Sequence, residues 1–156
     1  MTTTPKAAAT TDRIEKQRVL RAAPARVWRA LSNAREFGTW FGVELSDDFV
    51  PGATIRGTVA YQGQDVTFTF HIERMEPERL LAFRWHPFAV DPAIDYSREP
   101  TTLVELALAP VPEGTLLTVT ESGFDQIPPA RRAKAFEMNG AGWAEQLQNI
   151  ARHVGA

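Results

Sequence analysis

Apolar and polar side chains alternate with period two along four stretches of the chain. The cleanest is DVTFTFHIERME at 65–76, where Val66, Phe68, Phe70 and Ile72 alternate with Thr67, Thr69, His71 and Glu73. Such alternation gives a strand one apolar face and one wet face. RLLAFRWH at 79–86 repeats it with Leu81, Phe83 and Trp85, and 104–108 repeats it with Val104, Leu106 and Leu108. In the fourth stretch, TLLTVTES at 115–122, Leu117 and Val119 share a face with Glu121, so a carboxylate is aimed at the core. Less regular strands are expected at 13–21, 43–46 and 54–61. Pro51-Gly52, a turn over QGQD at 62–65 and Gly114 punctuate the series. Short turns between successive strands predict an antiparallel meander with one face against a core.

Two regions switch to a helical period. In APARVWRALSNAREFGTWF, Pro24 suits a first helical turn and Val27, Trp28 and Leu31 form one stripe. Gly38 interrupts the pattern, which predicts two short helices with a bend there and Trp40 and Phe41 at the exit. After IPPA, the residues Ala133, Phe136, Gly140, Trp143, Leu147, Ile150 and Val154 recur at spacings of three and four, as a long helix covering the sheet requires. The expected architecture is α+β: a strand, two short helices, about six further strands and a long closing helix. HPFAVDPAIDYSREP at 86–100, with Pro87, Pro92 and Pro100, is the longest irregular connection. A loop of that length is either a lid or contact loop or a tolerated insertion.

Composition narrows the function classes. A chain of 156 residues, 44% hydrophobic and 23% charged, suits one domain with a sizeable core; the expected layout is a disordered tail over 1–12 and a single domain over 13–156. A net charge of -2 gives no basic stripe of the kind nucleic-acid binding needs, and Arg131, Arg132 and Lys134 read as a solvated face. Neither a membrane span of roughly 20 apolar residues nor a secretory-type apolar segment in the first dozen residues is present, so a cytoplasmic protein without a membrane partner is expected. The absence of cysteine removes disulfides, thiolate nucleophiles and thiolate-bound metals. There is no glycine-rich phosphate loop, and His71, His86 and His153 are scattered, so no cofactor and no metal site is expected.

Glu121 then becomes the residue that demands an explanation. A buried carboxylate needs a partner, a proton or access to water. Arg56 is one candidate partner, although its strand phase is ambiguous: Ile55, Gly57 and Val59 compete with Thr54, Arg56 and Thr58 for the inner face. A structural ion pair, ligand recognition and acid/base catalysis are the three roles open to Glu121.

The order of elements, together with APARVWRALSNAREFGTWF, PGATIRG, ERLLAFRW, TLVELAL, GTLLTVTESGF and GWAEQL, resembles the family named after the activator of the heat-shock protein 90 ATPase. That family lies in the START-like, polyketide-cyclase-like (SRPBCC, helix-grip) superfamily, and the resemblance runs from about residue 13 to residue 154. It implies a curved antiparallel sheet of about six to seven strands wrapped around the long C-terminal helix, with an apolar cavity between them. It also implies that the residue before SGF, here Glu121, faces that cavity. The aromatic side chains Trp40, Phe41, Phe68, Phe70, Phe83, Trp85, Phe136 and Trp143 are expected to converge on this space. Leu147, Arg56 and Glu121 complete the expected lining, and Gly140 would leave room at its centre; a solid aromatic core is the competing expectation. The expected function is binding or sequestration of a hydrophobic, aromatic or lipid-like small molecule without turnover. The alternatives are a cyclase or hydrolase using Glu121 as acid or base, with Tyr61 or Arg56 orienting the substrate, and a co-chaperone-like ATPase activator. A sheet edge or the 86–100 loop would be the surface for a homodimer.

Overall fold

The computed structural model describes residues 11–155. Seven antiparallel strands form one sheet in the order β1-β7-β6-β5-β4-β3-β2: β1 (Arg13–Leu20), β2 (Glu44–Leu45), β3 (Thr54–Tyr61), β4 (Gln64–Glu76), β5 (Leu80–Trp85), β6 (Thr102–Val111) and β7 (Gly114–Ser122). Helices α1 (Pro24–Ser32) and α2 (Ala34–Phe41) follow β1, and α3 (Pro129–Val154) closes the chain. Single turns of 3-10 helix occupy Tyr96–Arg98 and Phe124–Gln126. The α+β helix-grip architecture is therefore the observed one. Most of the expected tail, residues 1–10, lies outside the described residues. Asp12, which was assigned to it, is held in place: its carbonyl accepts from the backbone N–H groups of Gly123 and Phe124 at 3.1 and 3.2 Å.

The alternating strands place their apolar side chains as their period requires. Phe70 and Ile72 on β4, Phe83 on β5, Val104 and Leu106 on β6, and Leu117 and Val119 on β7 are all buried. The β3–β4 hairpin turns in two residues, with Tyr61 paired to Gln64 and positive φ at Gln62 and Gly63. That is the tight hairpin geometry which matches strand twist. Gly57 is required on β3 because a Cβ there would stand 2.9 Å from both Phe70 and Val43 side chains.

The helical segment breaks at Asn33, five residues earlier than Gly38's position alone suggests. Asn33 adopts extended backbone, its N–H donates to the Arg29 carbonyl, and its side chain accepts from the Glu36 N–H at 3.0 Å. One residue thus ends α1 and caps α2. Gly38 lies inside α2, where a Cβ would come within 2.5 Å of the Val43 carbonyl oxygen. Its role is close approach, not a bend.

Helix α3 presents Ala135, Trp143, Leu147, Ile150, Ala151 and Val154 to the core, while Ala133 is exposed. The inward face therefore runs through Asn139, between Ala135 and Trp143, and Gly140 is turned toward Ile14 on β1. At its C-terminal end α3 is tied to the short helices through Glu36, which takes Arg26 Nη1 at 2.7 Å, Arg29 Nε at 2.9 Å and His153 Nε2 at 2.9 Å. Burial alone would raise the Glu36 carboxyl, but hydrogen bonds from His153, Arg26 and Arg29 outweigh it and hold it at about 2.

A carboxyl depressed in the folded state contributes stability above its unfolded value, and that stability is lost as pH falls through the folded value. The contribution of Glu36 should be intact above pH ~4.5 and disappear toward pH ~2, amounting to about 2 kcal/mol once partial exposure is allowed for. Urea unfolding of wild type and Glu36→Gln across that range should show a gap that closes on acidification. A gap independent of pH would contradict the linkage.

Candidate functional site

Glu121 is fully buried on the inner face of β7. Its carboxylate receives five hydrogen bonds, all from neutral groups. Trp143 Nε1 donates to Oε1 at 2.8 Å, Trp85 Nε1 to Oε2 at 2.8 Å and Thr102 Oγ1 to Oε2 at 2.6 Å. Asn139 Nδ2 bridges both oxygens at 3.0 and 3.1 Å. Indole N–H and amide NH₂ groups can only donate, so the cluster matches a carboxylate acting purely as acceptor. The register explains the assembly: Glu121 pairs with Val104 of β6, and Trp85 of β5 pairs with Thr102 of β6, which puts three adjacent strands under one carboxylate. Asn139 and Trp143, four residues apart on α3, reach down from the same helix face.

Arg56 is not part of this cluster. Ile55 and Gly57 take the inner face of β3, and Arg56 points outward into solvent. The wide Gly57 gap accepts the Phe70 ring, which fixes that phase.

Two adjoining cavities flank the cluster. The larger, about 250 Å³, lies between the β3–β4 hairpin, the start of the 86–100 loop and the first half of α3. Val59, Tyr61, Val66 and Phe68 come from the hairpin, Phe88 and Val90 from the loop, and Met138 from the helix. Phe41, Trp85 and Asn139 border both this space and the smaller one, about 150 Å³, which Gly142, Trp143 and Gln146 complete. Trp85 and Trp143 stack with centroids 5.8 Å apart and planes inclined by 30°. Both indoles are thus held at one end by the carboxylate and present ring surface to the cavities.

The expected residues separate into three groups. Phe41, Phe68, Trp85 and Trp143 border the cavities, and Glu121 lies beneath them. Phe70 and Phe83 are fully buried with centroids 5.0 Å apart, Leu147 is buried in the same core, and Trp40 donates to the Ala30 carbonyl at the helical end. Phe136 packs edge-on against Phe124 at 5.2 Å, and Gly140 faces β1, so neither borders the space. Sequence reasoning missed Val59, Val66, Phe88, Met138 and Asn139. The available signal was Asn139 itself, a polar residue one turn from Trp143 on the inward face.

The 86–100 loop is a wall of the larger cavity, and α3 holds it there. Arg131 Nε donates to Glu99 Oε1 at 2.8 Å, and Nη1 donates to the Pro87 carbonyl at 2.6 Å. Nη2 also lies 2.8 Å from Glu99 Oε1 without the alignment of a hydrogen bond, and the guanidinium sits 4.7 Å from the Tyr96 ring centroid. Phe88 has φ 49°, a left-handed conformation costly for a bulky side chain, and packs edge-on against Tyr61 at 6.0 Å. Arg131 is therefore a clamp, whereas composition alone presented it as part of a solvated patch.

The family model described as Activator of Hsp90 ATPase homolog 1-like protein matches residues 21–155. The chain belongs to that family. The solved protein MLL2253 from Mesorhizobium loti superposes with a TM-score of 0.72 at 20% identity, covering 90% of this chain and 95% of its own. A protein from Arthrobacter aurescens gives 0.75 at 16% identity, covering 92% and 86%. At these identities the likeness shows the fold alone. DynU16, from the dynemicin biosynthetic locus, is 28% identical over 90% of this chain with a TM-score of 0.69, and the aligned region is 46% of that longer chain. No curated protein matches.

Two outcomes follow for this family member. Glu121→Gln turns one acceptor into an NH₂ donor facing other donors, and should lower the unfolding free energy by about 2–4 kcal/mol; a change below about 1 kcal/mol in urea titration would remove the carboxylate from its structural role. Arg131→Ala should speed amide hydrogen exchange across 86–99 while leaving β6 and β7 protected. Unchanged exchange in that loop would show that the clamp is not what holds it.

Proposed function

We propose that this protein binds a small, flat, largely apolar molecule in the paired cavities between the β3–β4 hairpin, the 86–100 loop and α3. The observation that carries this reading is the 250 Å³ space bordered by Phe68, Trp85, Phe88 and Met138, in a site whose shape is set by a clamped loop and two anchored indoles. Pockets of this size and lining suit ligands that bury ring surface. Membership of the family supports binding of this kind without naming a ligand, and the origin of DynU16 in a biosynthetic locus is a fact about that protein.

The geometry favours binding over catalysis by Glu121. A general acid or base must meet the proton it transfers. Glu121 is fully buried and both of its oxygens are already engaged by five hydrogen bonds from four donors. Arg56 is outside the cavity, so of the two substrate-orienting candidates only Tyr61 borders it. Among the described residues no helix is long and apolar enough to cross a membrane.

Binding of an apolar fluorophore, followed by quenching of the Trp85 and Trp143 emission and by native mass spectrometry, tests the proposal. Wild type should bind saturably with one site, and Val59→Trp, which fills the larger cavity from its hairpin wall, should weaken binding at least tenfold while the variant still unfolds cooperatively. Equal binding by a folded Val59→Trp protein would place the ligand elsewhere and overturn the reading.

A further inference from the structure

The buried carboxylate also determines which polar atoms the cavity can offer. The side-chain amide of Asn139 has two possible orientations, and hydrogen bonding decides between them. Nδ2 lies 3.0 and 3.1 Å from the two oxygens of Glu121. The reversed amide would set its carbonyl oxygen against a carboxylate, so that orientation is excluded. The amide carbonyl must then occupy the opposite side of the group, and Asn139 borders both cavities. Among the described residues no partner for Oδ1 is found, and it is not among the buried side-chain atoms left without one, so it remains accessible.

His86 supplies a second acceptor by separate reasoning. It borders the larger cavity, and its Nε2 stands 3.0 Å from the Glu99 backbone carbonyl. A carbonyl oxygen only accepts, so Nε2 carries the hydrogen, and in the neutral ring Nδ1 is left as an acceptor. Glu99, whose backbone carbonyl receives this hydrogen bond, has its carboxylate committed to Arg131.

We propose that the cavity selects ligands bearing a neutral hydrogen-bond donor, a hydroxyl or N–H on a flat apolar skeleton, with Asn139 Oδ1 as the principal acceptor and His86 Nδ1 as the second. An anionic ligand is disfavoured, because it would bring a second negative group toward the amide carbonyl and the Glu121 carboxylate behind it, with no lysine or arginine among the lining residues. The proposal rests on the binding site described above and adds the class of molecule that the site takes.

Four probes sharing one ring system separate the two ideas: naphthalene, 2-naphthol, 2-methoxynaphthalene and 2-naphthoate, titrated into the intact protein by fluorescence and calorimetry. The naphthol should bind about tenfold more tightly than the methyl ether, the increment of one well-made hydrogen bond, and the carboxylate should bind weakest. Asn139→Ala should reduce the naphthol preference to less than about threefold while naphthalene itself still binds, and His86→Phe should reduce it by a smaller factor. Naphthol, ether and carboxylate binding equally well to wild type would overturn donor selection and leave the cavity as the binding site. Failure of every probe to bind would overturn both.

Discussion

One fully buried carboxylate governs how the two layers of this protein meet. Glu121 is buried without a cation, a situation whose desolvation penalty is several kcal/mol unless hydrogen bonds replace the lost water. Five hydrogen bonds from four neutral donors do so, from Trp85 and Thr102 on the sheet and from Asn139 and Trp143 on α3. Removing any one of them leaves the charge less satisfied, so the four side chains are held as a set. The helix cannot slide along the sheet or rotate about its axis without breaking part of the cluster. An apolar pair at this level would be tolerant of such shifts, because the hydrophobic effect has no direction.

This single anchor accounts for the uneven fit between helix and sheet. In its second half α3 is packed directly, through Leu147, Ile150, Ala151 and Val154, and its last turn is held to the short helices by the Glu36 ion network. In its first half the buried position is Ala135, Met138 and Asn139 border the cavities, Gly142 follows just past the midpoint, and the sheet opposite is the β3–β4 hairpin end. Without a fixed distance the helix would settle into that gap. The Trp85 and Trp143 indoles, each pinned at its nitrogen, act as spacers with stacked faces, and the 86–100 loop closes the side that the hairpin leaves open. The Arg131 clamp holds that loop from the first turns of the same helix, so the anchor and the wall share one element.

Much of this architecture was legible in the residues. Strict alternation in 65–76 and 115–122 gave both the strands and the inward phase of Glu121, since a period of two leaves little freedom once one face is buried. The α3 stripe was legible in extent but offset in angle: counting apolar residues alone joined Phe136 to Gly140 and passed over Asn139, because a polar residue on an inward face is recognisable only when its partner is known. Arg56 was undecidable for a related reason. One set, Ile55, Gly57 and Val59, is interrupted by a glycine, the other, Thr54, Arg56 and Thr58, holds a cation that could have paired with Glu121, and the Phe70 ring against Gly57 settles the phase. The helix break fell at Asn33 because a cap that bonds in both directions overrides the propensity of a glycine four residues inside the next helix. The 86–100 loop could not be placed at all from composition, since its position depends on a guanidinium more than 30 residues away in the chain.

The same anchor limits the chemistry that the site can perform. For Glu121 to act on a substrate, its oxygens would have to reach the reacting proton, and the two indoles, the Asn139 amide and the Thr102 hydroxyl already occupy the space around them. Both indoles are also walls of the space in which a substrate would lie, so contact with the carboxylate would require displacing one of them. A saturated carboxylate is well suited to something else: holding two aromatic walls and one amide at fixed positions and orientations. That is what the binding role proposed above requires of an ionisable residue in a mostly apolar core.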